Sequence, residues 1–228
     1  LRIPHRYRRR DASLPRRLRA ARQSVHNALK SDPDVIASHF ALYTAPALDL
    51  IGDRPLVVHF HGPWADESAV EGGGRLSVWA KRAMERLVYR RGTRFIVLSE
   101  AFRRVLVNTY DVPEERVRIV PGGVDLDRFT PTVSPLDARR RLGWPTDRPL
   151  LLSVRRLARR MGLEPLIQAV DHLRMTVPDV LLLIAGTGSL EDDLRSLVAD
   201  RGLGVRVRLL GYVPEADLPL AFRAAHAI

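Results

Sequence analysis

The sequence predicts an α/β protein with two domains, each containing a sheet of parallel strands. Short apolar runs bounded by Pro, Asp and Gly recur along the chain, as buried parallel strands do, and amphipathic stretches separate them. The composition changes around Pro131, after which closely spaced prolines bracket a short arginine-rich helix. We therefore predict a first domain over residues 1–131, a linker over 132–148 and a second domain over 149–228.

The first domain is expected to begin with a surface helix and two strands. Apolar residues recur at helical spacing between Leu14 and Leu29. The apolar runs from Val35 to Ser38 and from Leu56 to Phe60 predict strands. A second helix should run from about Leu76 to Arg90. Its inward-facing side chains are expected to be Val78, Met84, Leu87 and Val88.

The stretch from Phe95 to Pro131 predicts a strand, a helix, a strand and a loop in that order. Its two apolar runs flank an amphipathic helix that begins near Ser99. Parallel strands joined by a helix form a right-handed crossover, and such sheets bind ligands at the carboxyl ends of their strands. We therefore expect Ser99, and Gly122 and Gly123 after the second run, to lie in loops that line a ligand-binding cleft.

The second domain repeats the alternation of strands and helices. Strands are predicted at Leu150–Val154, Val180–Ala185 and Val207–Leu210. Helices are predicted at Leu190–Asp200 and Glu215–Ala225. The three strand ends should therefore lie at one edge of this sheet, like those of the first domain.

Two loops of this domain have residues suited to phosphate. The loop after the first strand contains Arg155, Arg156, Arg159 and Arg160. Guanidinium groups between a strand end and a helix start suit a diphosphate, and the alternative is a solvated charge run. Gly186 and Gly188 follow the second strand, and such a pair is weak evidence by itself.

Charge and composition limit the function classes. The 228 residues have a formal net charge of +11, and only Lys30 and Lys81 among the 37 basic residues are not arginine. Nucleic-acid binding is not expected, because no recognised motif accompanies the charge and a GC-rich coding sequence gives the same bias. No apolar run is long enough to span a membrane. The absence of cysteine excludes disulfides and thiolate metal sites and fits a reducing compartment.

The strongly basic amino-terminal segment has two interpretations. Arg8, Arg9 and Arg10 are consecutive, and Arg16, Arg19 and Arg22 lie off the apolar line of the first predicted helix. We favour a surface helix whose arginines are solvated. The alternative is a basic face that docks on an anionic membrane surface.

Histidines cluster at the end of the second predicted strand. His59 and His61 would point to opposite faces if the strand continued, so we do not expect them to share a metal. His61 precedes a Gly-Pro turn, which places it at the ligand-binding edge of the sheet. From the residues alone, an ordinary histidine at the loop edge is the commoner case. His39, after the preceding strand, has a weaker claim to a functional role.

The loop that ends the Phe95–Pro131 stretch resembles a signature of the family-4 retaining glycosyltransferases. The matching residues are Pro121, Gly123, Val124, Asp125, Phe129 and Pro131. Gly122 stands where Asn is commoner, and glycine accepts the same positive φ. The resemblance implies the GT-B fold, with two Rossmann-like domains. It also implies that this chain is an internal fragment lacking both ends, so that both domains are incomplete.

The resemblance also implies roles for particular residues. His61 would contact the donor sugar as the catalytic residue, and the segment from Trp64 to Arg75 would form an acceptor loop. Arg156 matches the arginine that holds the donor pyrophosphate. Met161 stands where lysine is usual, so Arg159 or Arg160 is expected to supply the second cation. Gly186 and Gly188 would lie beside the nucleotide, and the loop with Tyr212 and Val213 would contact the nucleobase.

The implied activity is transfer of a sugar from a nucleotide diphosphate sugar, with retention of configuration. No metal and no cofactor are expected, and the acceptor is an unspecified saccharide, lipid or small molecule. The fragment alone is expected to be inactive. A cytoplasmic protein, peripheral at the inner membrane face, would fit this reading. The alternatives are a nucleotide-sugar epimerase on a related fold and a non-catalytic basic module that binds polyanions.

Overall fold

The computed structural model describes residues 13–130 and 132–228. Arg8, Arg9, Arg10 and Pro131 lie outside the described residues. The chain divides into two compact units, of which the first ends at Gly122 and the second begins at Gly123. Both units are α/β, and every strand pair in them is parallel.

The first unit has a sheet of four strands in chain order. The strands are β1 (Ile36–Ser38), β2 (Leu56–Phe60), β3 (Arg94–Val97) and β4 (Val117–Ile119). In the register, Val58 lies opposite Phe95, and Phe95 lies opposite Val117. All four strands therefore end at the same edge of the sheet, where the loops predicted to line a ligand-binding cleft begin.

Helices connect these strands and cover the sheet. They are α1 (Leu14–Leu29), α2 (Ala41–Thr44), α3 (Leu48–Ile51), α4 (Trp64–Val70), α5 (Arg75–Arg91) and α6 (Glu100–Tyr110). Phe60 of β2 packs edge-on against Phe102 and Tyr89, so apolar packing joins the sheet to α5 and α6. On α5, Glu85, Val88 and Tyr89 are buried, whereas Leu87 is 56% exposed. The expectation that Leu87 faces inward is therefore wrong.

The second unit has three strands, also in chain order. They are β5 (Leu150–Val154), β6 (Leu181–Ala185) and β7 (Val207–Gly211). Its helices are α7 (Leu126–Phe129), α8 (Pro135–Leu142), α9 (Leu163–Leu173), α10 (Glu191–Asp200) and α11 (Leu218–Ala224). The residues predicted to form a linker include α8, which packs against α11 inside this unit.

The sheet of the second unit is covered on both faces. Every residue of β6 is buried, and its side chains alternate between two apolar clusters. Leu182 and Ile184 pack with residues of α9 and α10, such as Ile167. Leu181 and Leu183 pack on the other face, together with residues of α8 and α11. A parallel sheet between two helical layers is the Rossmann-like arrangement, and it explains why β6 is apolar without alternation.

Candidate functional site

The loops at the carboxyl edge of the first sheet contain three of the predicted residues. His61 follows β2, Ser99 follows β3, and Gly122 follows β4. The Ser99 hydroxyl accepts a hydrogen bond from the Phe102 amide at 3.3 Å, so it caps α6. Gly122 does not have a positive φ, and a Cβ there would meet no atom within 4 Å. The expected left-handed conformation at Gly122 is therefore wrong, and neither it nor Gly123 is conformationally demanding.

A stack of three histidines lies at this edge. The ring of His39 stacks on His59 with a centroid distance of 4.4 Å and on His61 with a distance of 5.3 Å. The Nδ1 atom of His39 is 3.0 Å from Nε2 of His61, so one of these nitrogens donates to the other. His59 and His61 are two positions apart, and residues at that spacing in extended chain lie on the same face, so both rings stack on His39 and the prediction of opposite faces is wrong.

This histidine stack lines a cavity of about 170 Å³. Tyr43 and Trp64 also line it. Burial lowers the pKa of His61, and the nearby His39 lowers it further. The pKa of His59 is lowered by burial and then by the other two histidines. Both rings therefore favour the neutral form, which accepts as well as donates hydrogen bonds.

No group of three or more potential metal ligands occurs within residues 13–130 and 132–228. The segment from Trp64 to Arg75 contains α4 and is not simply a loop. Its amino end lines the histidine cavity through Trp64, whose ring lies 5.2 Å from the ammonium nitrogen of Lys81. Its assignment as an acceptor loop stays a prediction.

The sequence interpretation missed Glu85, a buried carboxyl next to this cavity. Its two oxygens accept hydrogen bonds from the amides of Trp64 and Ala65, at 2.8 and 3.3 Å. The hydroxyl of Tyr110 donates a third, at 2.7 Å. A signal was present, because Glu85 lies seven residues after Val78 and three before Val88, on the apolar stripe of α5.

The loops after β5 and β6 pack directly on each other in the second unit. The Leu157 amide donates to the Thr187 carbonyl at 3.1 Å, and the Leu190 amide donates to the Leu157 carbonyl at 3.1 Å. A Cβ on Gly186, which has φ +145°, would overlap the backbone carbonyl of Arg155. A Cβ on Gly188 would overlap the carbonyl of Leu157. Both glycines are therefore required for this close backbone approach.

The loop after β7 joins the same edge. The Gly186 amide donates to the Gly211 carbonyl at 2.8 Å, and Gly211 has φ +69°. Tyr212 follows and is 74% exposed, with Val213 next in the chain. The structure thus brings together the three loops that the sequence selected in this domain. Which of their atoms contact a ligand stays a prediction.

The arginines of the β5 loop lie on the surface of this edge. Leu157 and Ala158 are buried, which leaves Arg156 and Arg160 exposed on either side of them. Within the part of the chain that the structure describes, the side chain of Arg156 has no hydrogen-bond or ion-pair partner. Met161 packs against the apolar core, so this position supplies no cation.

The basic helix α1 has partners for some of its arginines. Arg22 forms an ion pair with Asp49 and also donates to the Pro46 carbonyl. Arg17 donates to the Tyr43 hydroxyl. These contacts attach α1 to residues 41–51, as expected for a surface helix. Among the described residues, no helix combines the length and hydrophobicity needed to cross a bilayer.

The two sheets and their edge loops define an α/β protein of the GT-B type, with Rossmann-like units. The family model described as Glycosyltransferase Family 4 matches residues 1–128, and the model described as Glycosyl transferases group 1 matches residues 136–228. The chain belongs to glycosyltransferase family 4.

Curated relatives match part of the chain. D-inositol 3-phosphate glycosyltransferase of Xylanimonas cellulosilytica is 39% identical over 132 residues, which cover 54% of this chain and 31% of that protein. GDP-mannose-dependent alpha-(1-6)-phosphatidylinositol monomannoside mannosyltransferase of Mycolicibacterium smegmatis is 36% identical over 113 residues, covering 47% and 28%. The matches thus span about a third of these relatives' lengths.

Solved structures share the fold at low sequence identity. Sucrose-phosphate synthase from Thermosynechococcus elongatus matches with a TM-score of 0.76 and 21% identity, covering 98% of this chain and 55% of that one. UDP-GlcNAc 2-epimerase from Neisseria meningitidis matches with a TM-score of 0.57 and 17% identity, covering 95% and 60%. The fold alone therefore does not separate transferases from epimerases. Both family models that match the chain describe glycosyltransferases, so they do not favour an epimerase.

Proposed function

We propose that the protein containing this chain transfers a sugar from a nucleotide diphosphate sugar to an acceptor. The reaction retains the anomeric configuration and requires neither a divalent metal nor a cofactor. The observation that carries the proposal is the meeting of three loops at one edge of the second sheet, beside the exposed Arg156. Membership of the family and the names of the relatives support it.

The second unit is proposed to bind the donor. The guanidinium group of Arg156, which has no protein partner among the described residues, makes paired charge-assisted hydrogen bonds to the diphosphate. Arg160, or Arg159 beside it, supplies a second cation in place of a metal ion and stabilises the negative charge that develops on the leaving diphosphate. Gly186 and Gly188 allow the backbone to approach the nucleotide closely, and the Tyr212–Val213 loop contacts the base.

The first unit is proposed to provide His61 as the catalytic residue that contacts the donor sugar. Its lowered pKa keeps the imidazole neutral at pH 7. The acceptor remains one of three classes, a saccharide, a lipid or a small molecule, and the names of the two relatives are compatible with an inositol phosphate or a glycolipid. Cytoplasmic localisation is part of the proposal.

Nucleotide release tests the donor reaction. The protein is incubated with UDP-, GDP- and ADP-sugars, with and without EDTA, in the presence of candidate acceptors. We expect release of one nucleotide, unchanged by EDTA, and an NMR coupling constant that shows retained anomeric configuration. An epimerase would alter the sugar or release UDP without any acceptor. The same assay on the 228 residues alone tests the expectation that they are inactive.

Arginine variants test the phosphate contacts. Arg156→Ala should weaken donor binding by about 10- to 100-fold, because a bidentate charge-assisted pair contributes ~1.5–3 kcal/mol. Arg160→Ala should also weaken it, and unchanged affinity would remove Arg160 from the site. Arg141→Ala, an exposed arginine of α8, is the matched control and should bind normally. Titration calorimetry measures all three. Steep salt dependence without nucleotide preference would instead support the polyanion-binding alternative.

An anionic membrane surface is the proposed partner of the first unit. On α5, Leu76, Trp79 and Leu87 share one face and are exposed, and Arg86 and Arg90 lie beside them. Apolar side chains flanked by arginines suit an interface with anionic lipids. We expect sedimentation with phosphatidylglycerol vesicles, no sedimentation with phosphatidylcholine, and loss of binding in Trp79→Ser. Met175→Ser, which changes a residue 79% exposed in the second unit, is the control.

A further inference from the structure

Glu85 is a carboxyl group buried inside the first unit. Its side chain is fully shielded from solvent, at 0% exposure. Burying an ionised carboxylate costs free energy unless hydrogen bonds or a cation compensate for it. Arg82, on the same helix, is committed to an ion pair with Asp66. The compensation for Glu85 therefore comes mainly from hydrogen-bond donors.

Two of these donors are the first amides of α4. The Trp64 amide is 2.8 Å from Oε1 of Glu85, and the Ala65 amide is 3.3 Å from Oε2. The residue before α4 is Pro63, whose side chain provides no cap. The first amides of a helix have no partner within the helix and need one elsewhere. Glu85 supplies that partner from a different helix, where a negative charge is also favourable.

The third donor connects the carboxylate to α6. The Tyr110 hydroxyl, at the end of α6, donates to Oε2 at 2.7 Å. The ring of Tyr110 packs edge-on against Tyr89 at 4.9 Å. Burial raises the pKa of Glu85, and the hydrogen bonds from Tyr110 and the α4 amides partly lower it. The carboxyl group thus joins α4, α5 and α6 at one buried point.

His61 lies in the short segment between β2 and the α4 amides that Glu85 binds. Only three residues, His61, Gly62 and Pro63, separate the end of β2 from the amides that Glu85 binds. Gly62 has φ +143°, and a Cβ on it would lie 2.7 Å from Oε1 of Glu67 in α4. The segment is therefore fixed on one side by the sheet and on the other by Glu85. Within it, His61 stays 3.0 Å from Nδ1 of His39.

We propose that Glu85 is a positioning residue that holds the His61 imidazole in its orientation through the amino end of α4. The role of His61 toward a substrate rests on the proposed function. The claim that Glu85 fixes the orientation of the His61 ring does not depend on it. Without the carboxylate, the His61–Pro63 segment loosens while the sheet stays folded.

The first measurement is an NMR titration of the His61 ring in the Glu85→Gln variant. Glutamine has nearly the same size but only one acceptor oxygen, so it cannot satisfy all three donors. Because burial and His39 hold the pKa of His61 low, loosening the segment should move that pKa toward 6.5. Comparison with the spectrum of His61→Gln assigns the resonance. An unchanged titration in Glu85→Gln overturns the proposal.

A destabilised control separates positioning from general loss of stability. Val88→Ala removes buried methyl groups one turn further along α5 and leaves the carboxylate in place. In Val88→Ala, the His61 resonance should titrate as in the unchanged protein. This should hold even if the variant is no more stable to urea than Glu85→Gln. If both variants shift the His61 titration equally, the effect is general and Glu85 has no positioning role.

Two further readouts cover the remaining outcomes. In the unchanged protein, the Trp64 and Ala65 amides should exchange hydrogen as slowly as core amides of α5; rapid exchange would refute the cap without any variant. In the transfer assay, Glu85→Gln should lower kcat by about 10- to 100-fold with an unchanged donor KM, as misplacement of a reacting group does. If no form transfers sugar, the proposed function fails, and the titration still decides the role of Glu85.

Discussion

Replacing Gly186 by alanine tests the close packing of the β5 and β6 loops. The residue has φ +145°, where a side chain is strained, and its Cβ would overlap the Arg155 carbonyl. Backbone strain of this kind costs about 1–3 kcal/mol. Overpacking against backbone atoms, which cannot rotate away, adds about 1–3 kcal/mol. We therefore expect Gly186→Ala to lower the free energy of unfolding of the second unit by about 2–6 kcal/mol.

Other glycines of the same unit separate the two contributions. A Cβ on Gly188 would overlap the Leu157 carbonyl, but the residue does not have a positive φ. Gly188→Ala should therefore lower the free energy of unfolding by about 1–3 kcal/mol. Gly202 has φ +62° in open space, and Gly202→Ala should cost about 1–2 kcal/mol. Gly204 has neither, so Gly204→Ala should be neutral or stabilising by up to ~1 kcal/mol.

Urea denaturation followed by tryptophan fluorescence measures these differences. Trp144 packs on the core of the second unit, whereas Trp64 and Trp79 lie in the first. A background with both of the latter replaced by phenylalanine therefore reports on the second unit alone. The reasoning is refuted if Gly186→Ala is no less stable than Gly202→Ala. That result would mean that the two loops do not approach each other as closely as described.

The remaining predictions concern pH and a buried arginine. His59 and His61 bind protons less readily in the folded protein than in the unfolded chain, so stability should fall as pH drops below 6.5. His39→Ala should flatten this fall, which urea titrations at several pH values would detect. Arg139 is 5% exposed and donates to two backbone carbonyls of the second unit. Arg139→Met should therefore lower the free energy of unfolding by about 2–4 kcal/mol in the same assay.

Each of these predictions has a control. Glu85 has a raised pKa, so its contribution has the opposite sign and is lost as pH rises above 4.5. It is common to the unchanged protein and His39→Ala, and it cancels in their difference. An equal pH slope in the two would contradict the histidine assignment. For Arg139, the exposed Arg141 on the same helix is the control, and Arg141→Met should change stability by less than about 0.5 kcal/mol.

Sequence patterns alone were sufficient for the strands, the longer helices and their order. The predicted strands at Leu56–Phe60 and Leu150–Val154 coincide with β2 and β5, and the first predicted helix coincides with α1. Buried parallel strands need uniformly apolar side chains, and surface helices need one apolar stripe, so both leave local signals. The α/β class and the family followed from these signals and from the motif around Gly123.

Short helices did not leave such a signal. The sequence predicts a loop from Trp64 to Val70, where the structure has α4, because a seven-residue helix has too few turns to show a period. Its start is stabilised by a residue 21 positions further along the chain, Glu85. The apolar side chain of Leu87 predicts an inward position, but the structure places it on the surface of α5. Local propensity does not specify which side chains of a helix meet a neighbour.

The sequence by itself determined which residue types stand at the ends of the strands, because those positions follow directly from the apolar runs. Only the tertiary structure decided which of them meet. It joined Gly186 to the Arg155 and Gly211 backbones, and it brought His39 onto His61 from 22 residues away. Contacts between distant segments depend on the register of strands and the packing of helices, and the hydrophobic pattern of either segment does not contain that information.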